Sequence, residues 1–555
     1  MKASDLLVRC LETEGVTHIF GIPGEENADV MMSLMESDID FVLCRHEQAA
    51  AFMADVYGRL TGKAGVCLGT LGPGATNLVT GVADANMDRA PVVCLIGQAG
   101  TQRLHKESHQ NMDSVSMFRP ITKWAQTVHQ PDNIPEIVRK AFKVAEAEKP
   151  GAVLIELPED IAEHEAAGAP IAPIKTRRPG ADYKAVARAV DAIVGARSPL
   201  ILAGNGAIRK RASTQLRRLA ALSGIGVVNT FMGKGAVPRS DAHCLFTVGL
   251  QGKDHIIAAL READVIVSVG YDLVEYSPAF WNRGAEKTIV HVDFWPAEVD
   301  GDYQVEVDVA GDIADALWQI NEEIERRAAE GGARLPLFDI DERQALRTTI
   351  HDDLTAERGS SHFPMRPQKV LYDVRAFMGP DDVLLSDVGA HKMWIARYYQ
   401  CDEANTCLIS NGFCTMGFAF PGSLGAKIAL PDRRVLSING DAGFFMNAQD
   451  METAVRRKLN VVAMIWMDGA YGLIEWKQRN AFDGRHFDLS FTNPDLALWA
   501  RSYGAWGRTI ESAGELGPAL EEAFAQPGPA VIGVPIDYGE NMKLSARLGT
   551  IEYPI

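Results

Sequence analysis

Val435-Leu436-Ser437-Ile438-Asn439-Gly440-Asp441-Ala442-Gly443 is the stretch on which the reading of this chain turns. Its first five residues form a short β-rich apolar run, and residues 446–458 beyond the turn carry a helical pattern. A small-residue turn between strand and helix exposes backbone N–H groups beside the positive end of a helix, where phosphate can sit. A carboxylate in that turn can hold a hard cation against the phosphate. Taken alone, these four turn residues more often make an ordinary turn. A second acid, Asp468, ends the next strand candidate, 461–467, and Gly469-Ala470-Tyr471-Gly472 follows it. Neighbouring parallel strands bring Asp441 and Asp468 to the same carboxyl edge of a sheet, where open α/β folds bind ligands. Two carboxylates with backbone carbonyls and phosphate oxygens make a magnesium site there; the alternative for Asp468 is a cap on the next helix.

The same alternation of short apolar runs and longer helical patterns fills the chain, which predicts an α/β fold of three doubly wound parallel-sheet domains. Strand candidates at 17–20, 41–43, 65–68, 92–96 and 153–157 define a first domain over 1–165, with a helix at 47–61. Residues 158–179 are rich in Ala, Glu and Pro and suit a linker. Strands at 200–203, 265–270 and 288–293 define a central domain, 185–335, whose charged end, 321–334, reads as a helix running into another linker. Strands at 383–387, 435–439, 461–467 and 530–534 define a third, 365–545. The length of 555 residues suits this number.

The balance of 55 Lys+Arg against 73 Asp+Glu, a net charge of −18, argues against nucleic acid as a partner, because phosphate-backbone binding needs clustered positive charge. The eight cysteines form no CxxC pair and several lie in apolar runs, as in a reduced cytoplasmic protein. No apolar stretch approaches the roughly 20 residues that span a bilayer, so a membrane partner is not expected.

With these residues in place, the sequence resembles the thiamine-diphosphate-dependent decarboxylase and carboligase superfamily, whose diphosphate motif runs from Gly-Asp-Gly to Asn-Asn or Asp-Asn. Ala442 stands where the third residue is usually Gly, and Gly469 where the last is usually Asn. The resemblance implies thiamine diphosphate at Gly440, Asp441, Ala442, Gly443, Asp468 and Tyr471, with Mg2+ held by Asp441, Asp468 and the Ala470 carbonyl. Gly469 removes an amide that would bond the diphosphate or the loop. The resemblance also implies a catalytic glutamate after a first-domain strand, and Phe41 to Asp55 offers Glu47. Alone, Glu47 more often reads as a first-turn helix acid. In the superfamily such a carboxylate bonds the aminopyrimidine and drives the proton relay that activates the cofactor.

Further segments resemble the acetolactate synthases, over about Ala3 to Leu548. Gly21-Ile22-Pro23-Gly24, Gly72-Pro73-Gly74-Ala75-Thr76-Asn77 and Gly81 to Ala85 are typical of their first domain, which implies cofactor contacts at Pro23, Gly24, Gly74 and Asn77. His109-Gln110-Asn111-Met112-Asp113 resembles the segment whose Gln reaches substrate, implying catalytic Gln110 and His109. Asn411 to Phe418 resembles the segment that bends the cofactor, implying contacts from Met416 and Cys414, and Asp387-Val388-Gly389-Ala390-His391 implies His391 beside the phosphates.

Tyr271-Asp272-Leu273-Val274-Glu275 stands where FAD-binding relatives carry an Arg-Phe-Asp-Asp-Arg-like run, and Phe246-Thr247-Val248-Gly249 replaces their Gly-Met-His-Gly; the likeness is therefore to the catabolic, FAD-independent type. The tryptophan associated with 2-ketobutyrate preference aligns near Trp476 or Lys477, so pyruvate is the expected donor and acceptor. The resemblance implies conversion of two pyruvates to 2-acetolactate and carbon dioxide. It also implies a homodimer that forms the active site and assembles as a homotetramer, and does not fix whether a regulatory subunit joins it. Alternatives are a 2-keto acid decarboxylase, a pyruvate oxidase, or a non-catalytic cofactor-binding paralogue.

Overall fold

The computed structural model describes residues 1–174, 177–249, 255–331 and 334–541. The tail of the expected third domain, 542–545, the end of the likeness at Leu548, and parts of the two expected linkers lie outside these residues.

Three six-stranded sheets follow one another along the chain. The first contains β1 (His18–Gly21), β2 (Asp40–Leu43), β3 (Gly65–Gly69), β4 (Val92–Gln98), β5 (Trp124–Thr127) and β6 (Ala152–Pro158). The second contains β7 (Pro199–Ala203), β8 (Val227–Asn229), β9 (Cys244–Thr247), β10 (Val265–Val269), β11 (Thr288–Asp293) and β12 (Val305–Ala310). The third contains β13 (Val383–Ser386), β14 (Cys407–Ile409), β15 (Val435–Gly440), β16 (Val462–Met467), β17 (Trp506–Thr509) and β18 (Ala530–Pro535). Every pairing within these sheets is parallel. Parallel strands covered by helices on both faces are buried throughout, which is why β3, β4 and β6 are near-continuous apolar runs.

The strand orders decide where ligands can sit. The first sheet runs β2-β1-β3-β4-β6-β5 and the third runs β14-β13-β15-β16-β18-β17, the same order position by position. The central sheet runs β12-β11-β10-β7-β8-β9, the order of dinucleotide-binding domains. Each order has an inner switch point from which successive connections run in opposite directions, and the crevice beyond the strands' carboxyl ends there is the natural ligand site. It lies between β1 and β3, between β7 and β10, and between β13 and β15.

The helix Glu47–Thr61 joins the first and third domains. Its residues Ala49 to Ala54 and Val56 are fully buried, packed against the helix Ala419–Ala429. The helices touch almost backbone to backbone: a Cβ on Gly425 would lie 2.3 Å from the Met53 carbonyl oxygen. The stretch expected as a second linker instead carries the helix Asp341–Thr355, whose Ile350 is buried in the central core. The helix expected over 446–458 is broken into a 3-10 turn, Ala448–Asp450, and a short helix, Met451–Arg456. Asn447 enters the turn with a non-helical backbone, φ −135° and ψ 21°, and its side-chain Nδ2 donates to the Gly417 carbonyl at 2.9 Å.

Candidate active site

The crevice of the first domain is built on Glu47. His46 caps the helix, its Nδ1 accepting the Gln48 N–H at 3.1 Å, so Glu47 falls in the first turn with its side chain buried. Asn77, on the helix Pro73–Met87, donates through Nδ2 to Glu47 Oε2 at 2.9 Å. Among the described residues no donor reaches Glu47 Oε1, which leaves that oxygen to a ligand. The surrounding turns come close because glycine lets them. A Cβ on Gly74 would lie 3.4 Å from Glu47 Oε1, and one on Gly24, next to Pro23, 2.4 Å from Thr70 Cβ. Gly72, at φ +52°, lies so close to the Gln110 backbone that a Cβ would sit 2.8 Å from its carbonyl oxygen. Gln110 itself holds a left-handed backbone, φ +55°, and it and His109 are exposed at the rim. The sequence-predicted residues Pro23, Gly24, Glu47, Gly74, Asn77, His109 and Gln110 are thus gathered around one crevice.

The crevice of the third domain is built from the turns after β13 and β15. Asp387 is fully buried and accepts the backbone N–H groups of Val388 and Gly417 at 2.9 Å and of Phe418 at 3.2 Å. Burial pushes its carboxyl up to about 7, and those backbone donors act against the shift. Asp387 thereby ties the segment carrying Met416 to the turn carrying His391. A Cβ on Gly443 would lie 2.4 Å from Asp387 Oδ2, so only glycine fits there. His391 is buried over Gly440, and burial pushes its pKa down to about 3, leaving a neutral imidazole. Its Nε2 has no hydrogen-bond partner, as suits a donor awaiting a phosphate oxygen.

Asp441 and Asp468 do meet at this edge, because Gly440 pairs with Trp466 in register. Asp441 is buried, its Oδ1 accepting the Ala442 N–H at 2.9 Å and its Oδ2 the Gly469 N–H at 2.8 Å. Desolvation and then the negative charge of Asp441 push the Asp468 carboxyl up to about 7, although its side chain still reaches solvent. Two carboxylates crowded together in this way are a hard-oxygen donor set that a divalent cation would relieve. Among the described residues no group of three or more His, Cys, Asp or Glu could hold a metal. The remaining ligands of a Mg2+ here would therefore be backbone, water and phosphate oxygens, which fits an ion shared with a diphosphate. The helical turn after Gly440 is only four residues, Asp441–Phe444, so most of the local positive potential comes from N–H groups rather than from a long helix.

Ala470 pairs with Ser490 in a single antiparallel bridge, and Tyr471 is exposed with its ring 5.5 Å from that of Phe491. Met416 is half-buried. Cys414, unlike the seven buried cysteines, is exposed. It has φ +54°, donates from Sγ to the Asn411 carbonyl at 2.8 Å and accepts from Lys392 Nζ at 3.1 Å. Trp476 is buried in the third core while Lys477 is exposed.

Sequence reasoning missed the acids that dock the Met416 segment on the first domain. Ser410 and Thr415 hydroxyls donate to Asp84 Oδ1 at 2.5 and 2.8 Å, and the Asn411 and Gly412 N–H groups donate to Asp88 at 2.7 and 2.6 Å. Arg59 closes the cluster, bonding Asp55 at 2.6 Å, Asp88 at 3.0 Å and the Ile409 carbonyl at 2.9 Å. It also missed Asn493, whose Nδ2 donates to Asp441 Oδ2 at 2.7 Å from 52 residues away; no spacing rule joins the two.

The helix that carries Glu47 also meets the segment that carries Met416. Arg59, twelve residues beyond Glu47 on the same helix, lies 5.4 Å from the Phe418 ring. Phe52, only five residues beyond Glu47 on that helix, packs edge to face against the same Phe418 ring at 5.5 Å.

Sequence models of the thiamine pyrophosphate enzymes match all three parts: the N-terminal TPP binding domain over residues 1–117, the central domain over 186–320 and the C-terminal TPP binding domain over 387–534. The class of the protein, a three-domain thiamine pyrophosphate enzyme, is thereby defined. A catabolic acetolactate synthase of Raoultella terrigena is 37% identical over 98% of this chain and 97% of its own length. An acetolactate synthase of Bacillus subtilis is 34% identical over 98% and 95%, and the isozyme 3 large subunit of Escherichia coli acetolactate synthase 32% identical over 95% and 92%. The chain belongs to the acetolactate synthase family. Among the described residues no helix is long and apolar enough to cross a membrane.

Proposed function

We propose that the protein is a thiamine-diphosphate- and magnesium-dependent acetolactate synthase that joins two pyruvates into 2-acetolactate and releases one carbon dioxide. The observation that carries this reading is the pairing of a buried glutamate, free at Oε1, with a second crevice where two crowded carboxylates lie beside a neutral, unpartnered histidine nitrogen. When bound, thiamine diphosphate supplies the carbon nucleophile and the sink for the electrons left by decarboxylation. Glu47, steadied by Asn77, holds and moves a proton at Oε1. Asp441, Asp468 and the Ala470 carbonyl hold Mg2+, and His391 Nε2 with the N–H groups around Gly440 to Gly443 orients the diphosphate. Met416 supports the cofactor, and Gln110 and His109 orient the substrate from the rim.

No flavin takes part in this reading. The central sheet has a dinucleotide-binding order, and its crevice would offer the N–H groups after β7 to a pyrophosphate. Glu275 occupies that place: both its oxygens accept the Asn205 N–H at 3.0 and 3.1 Å, and it also takes the Asp272 N–H and the Thr230 hydroxyl. A Cβ on Gly204 would lie 2.6 Å from the Gly270 carbonyl oxygen, so the two turns already fill the gap.

The resemblance of the sequence to the acetolactate synthases supports an active site completed by a second copy, in a homodimer and, by pairing of dimers, a homotetramer. Mixing two inactive variants, Glu47→Ala and Asp468→Ala, under subunit exchange tests this. Each alone is expected to lose about 10²- to 10⁴-fold in rate, and the mixture to regain a substantial fraction through hybrid dimers with one intact site. A mixture no more active than its parents would overturn the shared site.

A further inference from the structure

We propose that Gln98 is a positioning residue that holds Gln110 and His109 at the rim of the first crevice. The inference rests on the reading above in which those two residues orient the substrate. Gln98 is the last residue of β4 and is 2% exposed; Glu156, on the neighbouring β6, is 4% exposed. Gln98 Nε2 donates to Glu156 Oε1 at 2.8 Å and to the Met112 carbonyl at 3.1 Å, and its Oε1 accepts the Ala99 N–H at 2.8 Å. Two acceptors on one side and a donor on the other leave the amide a single orientation. The Thr127 hydroxyl, at the end of β5, donates to Glu156 Oε2 at 2.9 Å, so each oxygen of the buried carboxylate has a donor.

Met112 lies two residues beyond Gln110, whose left-handed backbone, φ +55°, is unfavourable for a residue with a Cβ and persists only where its surroundings hold it. Gln98 supplies such a hold from the buried end of the sheet. From the solvent side Arg103 Nη2 reaches the same segment with a longer, exposed bond to the His109 carbonyl at 3.3 Å. The position of the rim matters to the chemistry because the Gln110 backbone lies against Gly72, its carbonyl oxygen 2.8 Å from where a Cβ would be. Gly74, in the same turn, approaches Glu47 Oε1. A rim released from Gln98 would therefore shift against the atom at which Glu47 meets its ligand.

The test exchanges the buried pair. Gln98→Glu combined with Glu156→Gln keeps a bond between the two side chains, with donor and acceptor reversed, and keeps acceptors for Ala99 and Thr127. A carboxylate at position 98 cannot donate to the Met112 carbonyl. The readouts are pyruvate kinetics, thiamine diphosphate affinity by calorimetry, thermal unfolding, and the rate of trypsin cleavage of the apo protein after Arg103 and the exposed Lys106. The exchange variant is expected to lose about 10- to 100-fold in kcat/KM, the scale of a group misplaced by about 1 Å, and to be cut faster, with cofactor affinity unchanged. Thr127→Val takes a donor from the same buried network without touching Met112; it is expected to lower the unfolding midpoint and leave kcat/KM near wild type. Gln98→Met, which has the length but no donor, repeats the comparison if the exchange variant does not fold. Wild-type kcat/KM in the variants at position 98, or an equal loss in Thr127→Val, would overturn the proposal. Failure of the wild-type protein to turn over pyruvate would instead overturn the functional reading beneath it.

Discussion

Arg59→Met removes the cation from a buried junction of three acids. The Arg59 side chain is 7% exposed, Asp55 0% and Asp88 3%, so neither carboxylate can turn to water when the guanidinium goes. Taking one partner from a buried ion pair costs about 3–5 kcal/mol, a large share of the roughly 5–15 kcal/mol that holds a domain folded. The cost depends on pH. Burial already pushes the Asp55 carboxyl up to about 6 and the Asp84 carboxyl upward too, against the pull of Arg59. An acid raised in this way binds more protons folded than unfolded, so its stability contribution falls as pH rises from the unfolded value through the folded one. Without Arg59 that window moves higher: at pH 5 the acids take up protons and the loss is small, whereas at pH 8 the full penalty stands. Urea unfolding of wild type and variant at both pH values measures this, and cofactor affinity should fall with stability because the cluster docks the Met416 segment. A loss below about 1 kcal/mol at pH 8, or an equal loss at both pH values, would refute the reasoning.

Gly443→Ala puts a methyl 2.4 Å from Asp387 Oδ2 and should cost about 1–3 kcal/mol in thermal unfolding, with weaker thiamine diphosphate binding because Asp387 anchors Gly417 and Phe418. His391 is held neutral at about 3, below its unfolded value, so it contributes stability above about pH 6.5 that is lost as the pH falls. His391→Gln should flatten the apo protein's loss of stability between pH 7 and pH 5, as measured by unfolding midpoints. Glu275→Gln keeps the shape that fills the central crevice, and FAD titrated against it by fluorescence should bind no better than to wild type.

The longer buried strands were legible because a parallel strand covered on both faces must be apolar along its length, as in 92–96 and 153–157, whereas the buried strands Val227–Asn229, Cys244–Thr247 and Cys407–Ile409 are too short to stand out as runs. The half-buried edge strands Trp124–Thr127 and Trp506–Thr509 lack such a run and went unread. The helix Asp341–Thr355 was hidden likewise, since it commits mainly Ile350 to the core and its charges read as linker. Asp441 and Asp468 could be found because each follows a strand, where chain direction places a residue at the sheet's ligand edge, whereas Glu47 was singled out only by the resemblance, since alone it reads as a first-turn helix acid. Asn493 and the Asp55, Asp84, Asp88 and Arg59 cluster could not, because their partners are set by packing between distant segments. The shared strand order of the first and third sheets was likewise invisible, as hydrogen-bonded neighbours in space leave no residue-level repeat.

The central claim is tested most directly by incubating the purified protein with pyruvate, Mg2+ and thiamine diphosphate, with and without FAD, and measuring carbon dioxide and identifying the carbon product. The account predicts 2-acetolactate, two pyruvates consumed per carbon dioxide, and the same rate with or without FAD. Acetaldehyde at one pyruvate per carbon dioxide, a requirement for FAD, or no turnover in protein that binds the cofactor would contradict it.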